Sequence, residues 1–159
     1  MVRVLATIQN WPASSAWTQY PGTLKSYIYE ILDGVLASSS NLDPSNGMVR
    51  NYIQGGVNNP SDTSYTWFGE GSGTAGIAAA IFRMAILDPS MASKYLPWAE
   101  AAKKSISQQI GSDGILRPTC NPYDWFSQQP YNAGSPEGQA FAGMLGAAYV
   151  DYINNKNSK

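Results

Sequence analysis

Histidine is missing from this chain of 159 residues, and cysteine occurs once, as Cys120. Without histidine, the Ser-His-Asp and Cys-His catalytic arrangements and the zinc sites that use imidazole ligands are excluded. A single cysteine excludes an intrachain disulfide and a metal cage built from several thiolates. We therefore expect neither a metal site nor a cofactor, and cysteine usage does not indicate the redox compartment.

Charge is also scarce, since 13% of the residues are charged and 10 basic side chains oppose 11 acidic ones. No basic stripe is available to neutralise a phosphate backbone, so nucleic acid is not an expected partner. The longest apolar run, 77–87, is interrupted by Arg83 and is shorter than the roughly 20 residues that cross a bilayer, so no membrane span is expected. The N-terminal MVRVLATIQNWP lacks the features of a signal peptide, so a secreted protein would be in processed form here.

Apolar residues at helical spacing dominate what is present. They make up 43% of the chain, and its length favours one folded domain over 1–159. Thr23 and Ser135 are typical helix N-caps, and Pro97 and Pro136 suit a first helical position. The sequence predicts main helices over 24–38, 72–87, 97–110 and 136–153, and shorter ones over 2–9 and 91–95.

Two long connections, 39–71 and 112–134, are rich in Asn, Pro, Gly, Ser and aromatic residues. Loops of more than about 12 to 15 residues are uncommon in compact domains and are usually functional. Short β-pairings are predicted within them at 48–54 and 115–118. The binding site is therefore expected in these loops.

The chain repeats itself at an offset of 67 residues. In each copy a helix is followed by a glycine turn, an arginine, an aromatic loop and the pair Glu-Gly that opens a second helix. This order predicts an αα-hairpin repeat with units over about 24–87 and 91–153. The identical residues are Gly47, Arg50, Glu70, Gly71, Ala75, Gly76, Ala80 and Ile86, which match Gly114, Arg117, Glu137, Gly138, Ala142, Gly143, Ala147 and Ile153.

The second helix of each unit carries small residues four positions apart, which form a stripe without bulk and allow close helix packing. The stripes are Gly71, Ala75 and Ala79 in one unit, and Gly138, Ala142 and Gly146 in the other. Such helices are expected on the inside of an α/α solenoid or toroid. The predicted fold is therefore all-α, a partial toroid of about two to two and a half αα-hairpins with long aromatic loops.

The segments WFGEGSGTAGIAAAIF and SPEGQAFAGMLGAAYVDY resemble inner-helix starts of the six-hairpin glycosidases, the (α/α)6-barrel group that includes glycoside hydrolase families 88 and 105. SPEGQAF is particularly similar to the C-terminal end of fungal members. The resemblance covers only the C-terminal portion of such a barrel, so it implies a fragment, a half-barrel completed by other copies, or a shortened relative.

The resemblance implies an extracellular glycosidase that acts on unsaturated uronyl oligosaccharides derived from polysaccharides. No position here matches the family's catalytic Asp, which belongs to an earlier hairpin. Where relatives often carry W-G-R-G or W-A-R-G, this chain has W-F-G-E-G around Glu70. An acid in place of the cation reverses the charge that is offered to a uronate.

Three carboxylates are candidates for catalysis. Glu70 and Glu137 would lie at adjacent helix starts, where a separation suited to an inverting glycosidase is conceivable. The alternative, which we favour, is structural, because helix N-termini stabilise carboxylates without any substrate. Asp124, between Tyr123 and Trp125, is the candidate general acid, since burial beside aromatic rings would favour its protonated form.

Arg50 and Arg117 occupy matched loop positions and are candidates for binding a substrate carboxylate. The alternative is that each arginine anchors its loop by donating to backbone carbonyls, in partnership with the glutamate of its own unit. The aromatic residues of the loops are candidate platforms for sugar rings or, equally, packing residues. They are Tyr65, Trp67, Tyr123, Trp125 and Phe126.

Three hypotheses of function follow. The first is a glycoside hydrolase-like domain that acts on polysaccharide-derived oligosaccharides. The second is a non-catalytic carbohydrate-binding or interaction protein on a truncated barrel. The third is an inactive fragment that forms homo-oligomers through an exposed inner-helix stripe.

Overall fold

The computed structural model describes residues 1–11, 13, 17–53, 67–124 and 126–158. The chain is mostly helical, and the described part contains isolated β-bridges but no strand, so the all-α prediction is confirmed. Short 3-10 turns cover Ser39–Asn41 and Ser93–Tyr95. The helices are α1 Val2–Asn10, α2 Tyr20–Leu36, α3 Gly71–Leu87, α4 Pro89–Ala92, α5 Leu96–Gln109 and α6 Pro136–Asn157.

The predicted helix starts hold for α6 but not for α2. Ser135 caps α6 by accepting a 2.9 Å hydrogen bond from the Gly138 N–H, with Pro136 in the first turn. The predicted cap of α2, Thr23, is wrong, because the helix begins at Tyr20. Pro21 explains the earlier start, since its fixed φ suits a first turn and its missing N–H costs nothing there.

Helix α3 is the centre of the core, and α6 lies beside it in the same direction. Gly76 faces the ring of Phe141, and Phe82 packs against Tyr149 at a centroid distance of 5.2 Å. Near the C-terminal ends, Arg83 forms an ion pair with Asp151. Phe82 is fully buried, and Phe-to-Tyr edge contacts of this kind add stability beyond the buried area.

Helix α2 is held to the segment around α4 by aromatic and charged contacts. Tyr29 stacks on Tyr95 with centroids 5.8 Å apart. Asp33 accepts hydrogen bonds from Lys94 Nζ at 2.9 Å and from the Tyr95 hydroxyl at 2.8 Å. These bonds hold the pKa of Asp33 below its usual value. The first half of the chain is thereby fixed against the second.

Two tight turns precede the arginines, and each contains a glycine with positive φ. Gly47 has φ 70° and Gly114 has φ 78°, a region that side chains rarely adopt. The predicted β-pairings are reduced to isolated bridges around these turns. These bridges are Leu42 with Val49, Arg50 with Gly69, Ile110 with Leu116, and Thr119 with Tyr131.

The first glycine of each small-residue stripe faces a loop segment. A Cβ on Gly71 would lie 2.9 Å from the carbonyl oxygen of Pro118, and one on Gly138 would lie 2.8 Å from Thr119 Cγ2. Both glycines therefore admit the segment 116–119, which lies against the starts of α3 and α6. Gly146 has open space at its Cβ position. At these two glycines the close approach is made by a loop, whereas further along the helix α3 packs directly against α6, as at Gly76 and Phe141.

Candidate functional site

The N-termini of α3 and α6 and the loop 116–124 form one rim of the molecule. The Gly71 N–H donates to the carbonyl of Pro118 at 2.9 Å. Further along, Thr119 and Tyr131 exchange two backbone hydrogen bonds of 3.1 Å, which close the base of the loop between them. The rim therefore depends on the close approach of the segment 116–119 to Gly71 and Gly138 at the starts of the two helices.

Glu70 is the N-cap of α3 and is 5% exposed. Its Oε1 accepts from the N–H of Ser72 at 2.9 Å, from the Ser72 hydroxyl and from the N–H of Cys120 at 3.0 Å. Its Oε2 accepts from the N–H of Gly73 at 2.6 Å. The carboxylate therefore satisfies helix donors and fastens the loop 116–124, which is the structural role favoured from the sequence.

Glu137 has a different role, although it occupies the matched position of the repeat. It lies in the first turn of α6 and is exposed, while Ser135 provides the cap. A carboxylate there is stabilised by the positive end of the helix dipole. The two glutamates consequently differ in availability, since Glu137 faces solvent and Glu70 is enclosed by donors.

The pKa of the Cys120 thiol is affected by all three candidate carboxylates. Burial raises the pKa of its thiol, and the negative charges of Glu70, Asp124 and Glu137 raise it further. Asn51 Nδ2 lies 3.7 Å from the sulfur and acts in the opposite direction. The electrostatic influence of all three candidate carboxylates therefore reaches the Cys120 thiol.

Asp124 lies on a turn of the loop and is exposed, so its expected burial is wrong. Its backbone N–H donates to the carbonyl of Asn121 at 3.2 Å, and its own carbonyl accepts from Ser127 at 3.1 Å. The neighbouring Tyr123 is 87% exposed and Phe126 is 58% exposed. The side chains of Tyr123 and Asp124 therefore lie on the surface and not in the core.

Arg50 anchors its loop, as the structural alternative predicted. Its Nε donates to the carbonyl of Ser40 at 2.9 Å, and its guanidinium also donates to the carbonyl of Trp67. Trp67 is 3% exposed, and its ring lies 4.5 Å from that of Tyr52 between centroids. Trp67 therefore packs inside the molecule. The predicted pair of Arg50 with Glu70 is wrong, because Glu70 accepts from Ser72, Gly73 and Cys120 instead.

Arg117 pairs with Asp113 and not with Glu137, so the second predicted pair is also wrong. Arg117 Nη2 lies 2.6 Å from Asp113 Oδ2, and Nε donates to the carbonyl of Asn132 at 2.7 Å. The guanidinium holds the pKa of Asp113 well below its usual range. Asp113 lies four positions before Arg117, and the turn at Gly114 folds the chain back between them. The Asp113 carboxylate is therefore closer to the guanidinium than Glu137 at the start of α6.

Two predicted platform residues, Tyr65 and Trp125, lie outside the described residues. Two residues of the rim were not predicted. Asn51 and Asn121 contact the Cys120 neighbourhood, where Asn121 Oδ1 accepts from the Tyr123 N–H at 3.0 Å. The signal for Asn121 was its place before Pro122, a common turn start. Asn51 comes from the other loop, 69 residues away in sequence, and carries no local signal.

Cys120 provides a direct test of the rim's electrostatics. We expect its alkylation by iodoacetamide at pH 8 to be slower than that of a free thiol, with the midpoint of its pH profile above the unperturbed value near 8.5. Only the thiolate reacts, and nearby negative charge disfavours it. Asp124→Asn and Glu137→Gln should each move the midpoint downward and speed the reaction at pH 8.

The matched control is Asp113→Asn, which removes a carboxylate already paired with Arg117. Its alkylation profile should equal that of the parent protein. Equal profiles for all three variants would contradict the placement of Asp124 and Glu137 near the thiol.

Within the described ranges, no group of three or more Cys, Asp or Glu side chains is arranged to hold a metal ion. No helix in that part of the chain combines the length and hydropathy of a membrane span. Comparison of the chain with protein-family models, with curated proteins and with solved structures finds no match.

Proposed function

We propose that this protein binds polysaccharide-derived oligosaccharides at the rim formed by the loop 116–124, by Phe126 just beyond it, and by the start of α6. The observation that carries the proposal is the pair of exposed aromatic side chains Tyr123 and Phe126, 87% and 58% exposed, on either side of the exposed Asp124. Aromatic faces stack on the C–H faces of sugars, and carboxylates accept from sugar hydroxyls.

The anchoring of the loop supports this proposal. The loop is fastened at Cys120 by Glu70, and its base is closed by the Thr119–Tyr131 hydrogen bonds. A platform whose backbone is already ordered loses less conformational entropy on binding. Tyr123 and Asp124 lie between these anchors, so their backbone is held close to the starts of α3 and α6.

We further propose that 24–87 and 91–153 are two repeat units of a partial α/α toroid similar to the six-hairpin glycosidases. Matched contacts support a common unit, since the N–H of Val49 donates to Thr74 Oγ1 and that of Leu116 donates to Gln139 Oε1. In both units the residue before the arginine is thereby tied to the first two turns of the next helix. An extracellular setting forms part of the same proposal.

The charge of the rim favours neutral sugars over uronates. Asp124 and Glu137 are exposed there, while the guanidinium of Arg117 is engaged by Asp113 and that of Arg50 by backbone carbonyls. A uronate would meet like charge, which weakens binding. The preferred ligand class is therefore a neutral oligosaccharide.

Hydrolysis of a glycosidic bond is the second candidate function. Two carboxylates favour it, Asp124 and Glu137, which are both exposed at this rim. Because Glu70 already accepts hydrogen bonds from backbone and hydroxyl donors, Asp124 and Glu137 are the pair left to act as acid and base. Such a pair would have to protonate the leaving oxygen and activate a water.

Calorimetric titration with neutral xylo- and cello-oligosaccharides, and with oligogalacturonides, tests the proposal. We expect binding of a neutral series, and a loss of about tenfold in affinity for Tyr123→Ala and for Phe126→Ala, on the scale of one stacked aromatic ring. The matched control is Trp11→Ala, an exposed aromatic residue at the end of α1.

Absence of heat with every oligosaccharide would defeat the binding proposal. Hydrolysis is assayed separately by product analysis, with Asp124→Asn and Glu137→Gln compared with Glu100→Gln on α5. Binding without product would leave binding as the function and remove the catalytic candidate.

A further inference from the structure

Helix α6 has one covered side and one bare side, although both are apolar. Residues 138–150 contain no charged side chain. Leu145 and Ala148 are buried on the side of α3. A helix that is apolar all round is normally buried all round. The opposite side, which we name the outer face of α6, is exposed and consists of Ala140, Gly143, Met144, Ala147 and Val150.

The repeat relates this outer face to an interface that the molecule already forms. Gly143 and Val150 match Gly76 and Arg83, which are the α3 residues that meet α6. A Cβ on Gly76 would lie 3.4 Å from the ring of Phe141, whereas one on Gly143 would have nothing within 4 Å. The outer face of α6 is therefore the counterpart of a helix-docking face, and a bulky apolar group fits over Gly143.

Bulky apolar groups are exposed elsewhere on the same chain. Tyr20, Tyr27 and Ile31 of α2 are 43%, 53% and 50% exposed. Their separations of seven and four residues place them on one stripe of the helix. We name this set the outer stripe of α2. It has the size of side chain that the outer face of α6 lacks, and none of its members is charged.

We propose that a second copy of this chain docks its outer stripe of α2 on the outer face of α6. Bulky side chains then lie over Gly143 and Ala147 as Phe141 lies over Gly76. No member of either surface is charged, so burying these side chains desolvates no ion of their own, and the exposed Glu30 marks the edge of the α2 stripe. The two surfaces are different, so the contact is head to tail, and each copy keeps one surface free for the next.

Sedimentation velocity over a range of protein concentrations measures this association. The parent protein should pass beyond the mass of a dimer as its concentration rises, because a head-to-tail contact forms rings or chains. Ala147→Glu and Ile31→Glu should each weaken self-association at least tenfold, since each places a charge in the contact. Ala101→Glu, at an exposed alanine of α5, is the matched control and should associate like the parent.

An equimolar mixture of the two variants separates this contact from a symmetric one. The intact α2 stripe of Ala147→Glu can dock on the intact α6 face of Ile31→Glu, so the mixture should form a heterodimer and stop there. A parent protein that stays monomeric overturns the proposal. So does self-association that Ile31→Glu leaves unchanged. Circular dichroism establishes that each variant is folded, and Val150→Glu replaces Ala147→Glu if the latter is not.

Discussion

Replacing Glu70 by alanine should lower the free energy of unfolding by about 3–5 kcal/mol. The change removes an N-cap and leaves the N–H groups of Ser72, Gly73 and Cys120 without their acceptor, the first in a buried place and the other two in half-buried ones. Loss of a cap costs about 0.5–2 kcal/mol, and each buried donor left unsatisfied costs about 1–3 kcal/mol. Water that reaches some of these N–H groups reduces the total, but a large loss of stability remains. Urea unfolding followed by circular dichroism measures it.

The repeat offers a matched control for this experiment. Glu137→Ala alters the equivalent residue of the second unit, which is exposed and leaves the Ser135 cap intact, so stability should change little. Glu70→Gln should fall between the two, because its amide keeps one acceptor oxygen but turns an NH2 group toward a donor. Equal losses for Glu70→Ala and Glu137→Ala would contradict the different roles assigned to the two glutamates.

Gly71→Ala should lower the free energy of unfolding by about 1–3 kcal/mol, the usual cost of an overpacked site. Its new Cβ would lie 2.9 Å from the Pro118 carbonyl oxygen and 3.1 Å from Leu116 Cγ. A backbone carbonyl cannot rotate away from the new Cβ as the end of a side chain can, so the segment 116–118 must shift. That shift also strains the hydrogen bond between Glu70 and Cys120, and Cys120 should become easier to alkylate.

Gly143→Ala, in α6, should have the opposite sign. Its Cβ would meet nothing within 4 Å, and alanine is favoured over glycine in a helix by about 0.5–1 kcal/mol. The free energy of unfolding should therefore rise. Denaturant midpoints of the two variants and the parent, measured side by side, give the comparison. A gain for Gly71→Ala would show that the loop does not approach α3 closely.

These two experiments separate the parts of the repeated Glu-Gly pair. The glycines have the same role in both units, since Gly71 and Gly138 both admit the segment 116–119. The glutamates do not, because Glu70 caps α3 and holds Cys120 while Glu137 faces solvent. A shared sequence motif thus corresponds to shared packing but not to shared chemistry.

Helix positions were largely predictable, because they depend on contacts between residues close in sequence. The periodicity of 72–87 and the Ser135–Pro136 signal place α3 and the start of α6 correctly. The start of α2 was missed because Thr23 and Pro21 both suit a helix N-terminus and local rules do not choose between them. Glu70 as a cap was also unexpected, since short side chains are preferred there.

The partners of the loop residues were not predictable in the same way. Arg117 could reach either Glu137 or Asp113, and the Gly114 turn brings Asp113 closer. Burial was equally uncertain for the aromatic residues, where Trp67 is enclosed beside Tyr52 and Tyr123 projects into solvent. Nothing in the sequence immediately around either ring distinguishes the two outcomes.

The sequence by itself determined the all-α class, the main helices and the two glycine turns, because each follows from backbone preference and from periodicity within a few residues. Only the tertiary structure decided that Glu70 is enclosed, that Asp124 is exposed and that one face of α6 is bare. Those properties depend on which distant segment arrives beside each residue. The loop 116–120 reaches Glu70 across 50 residues of chain, and no local pattern encodes that meeting.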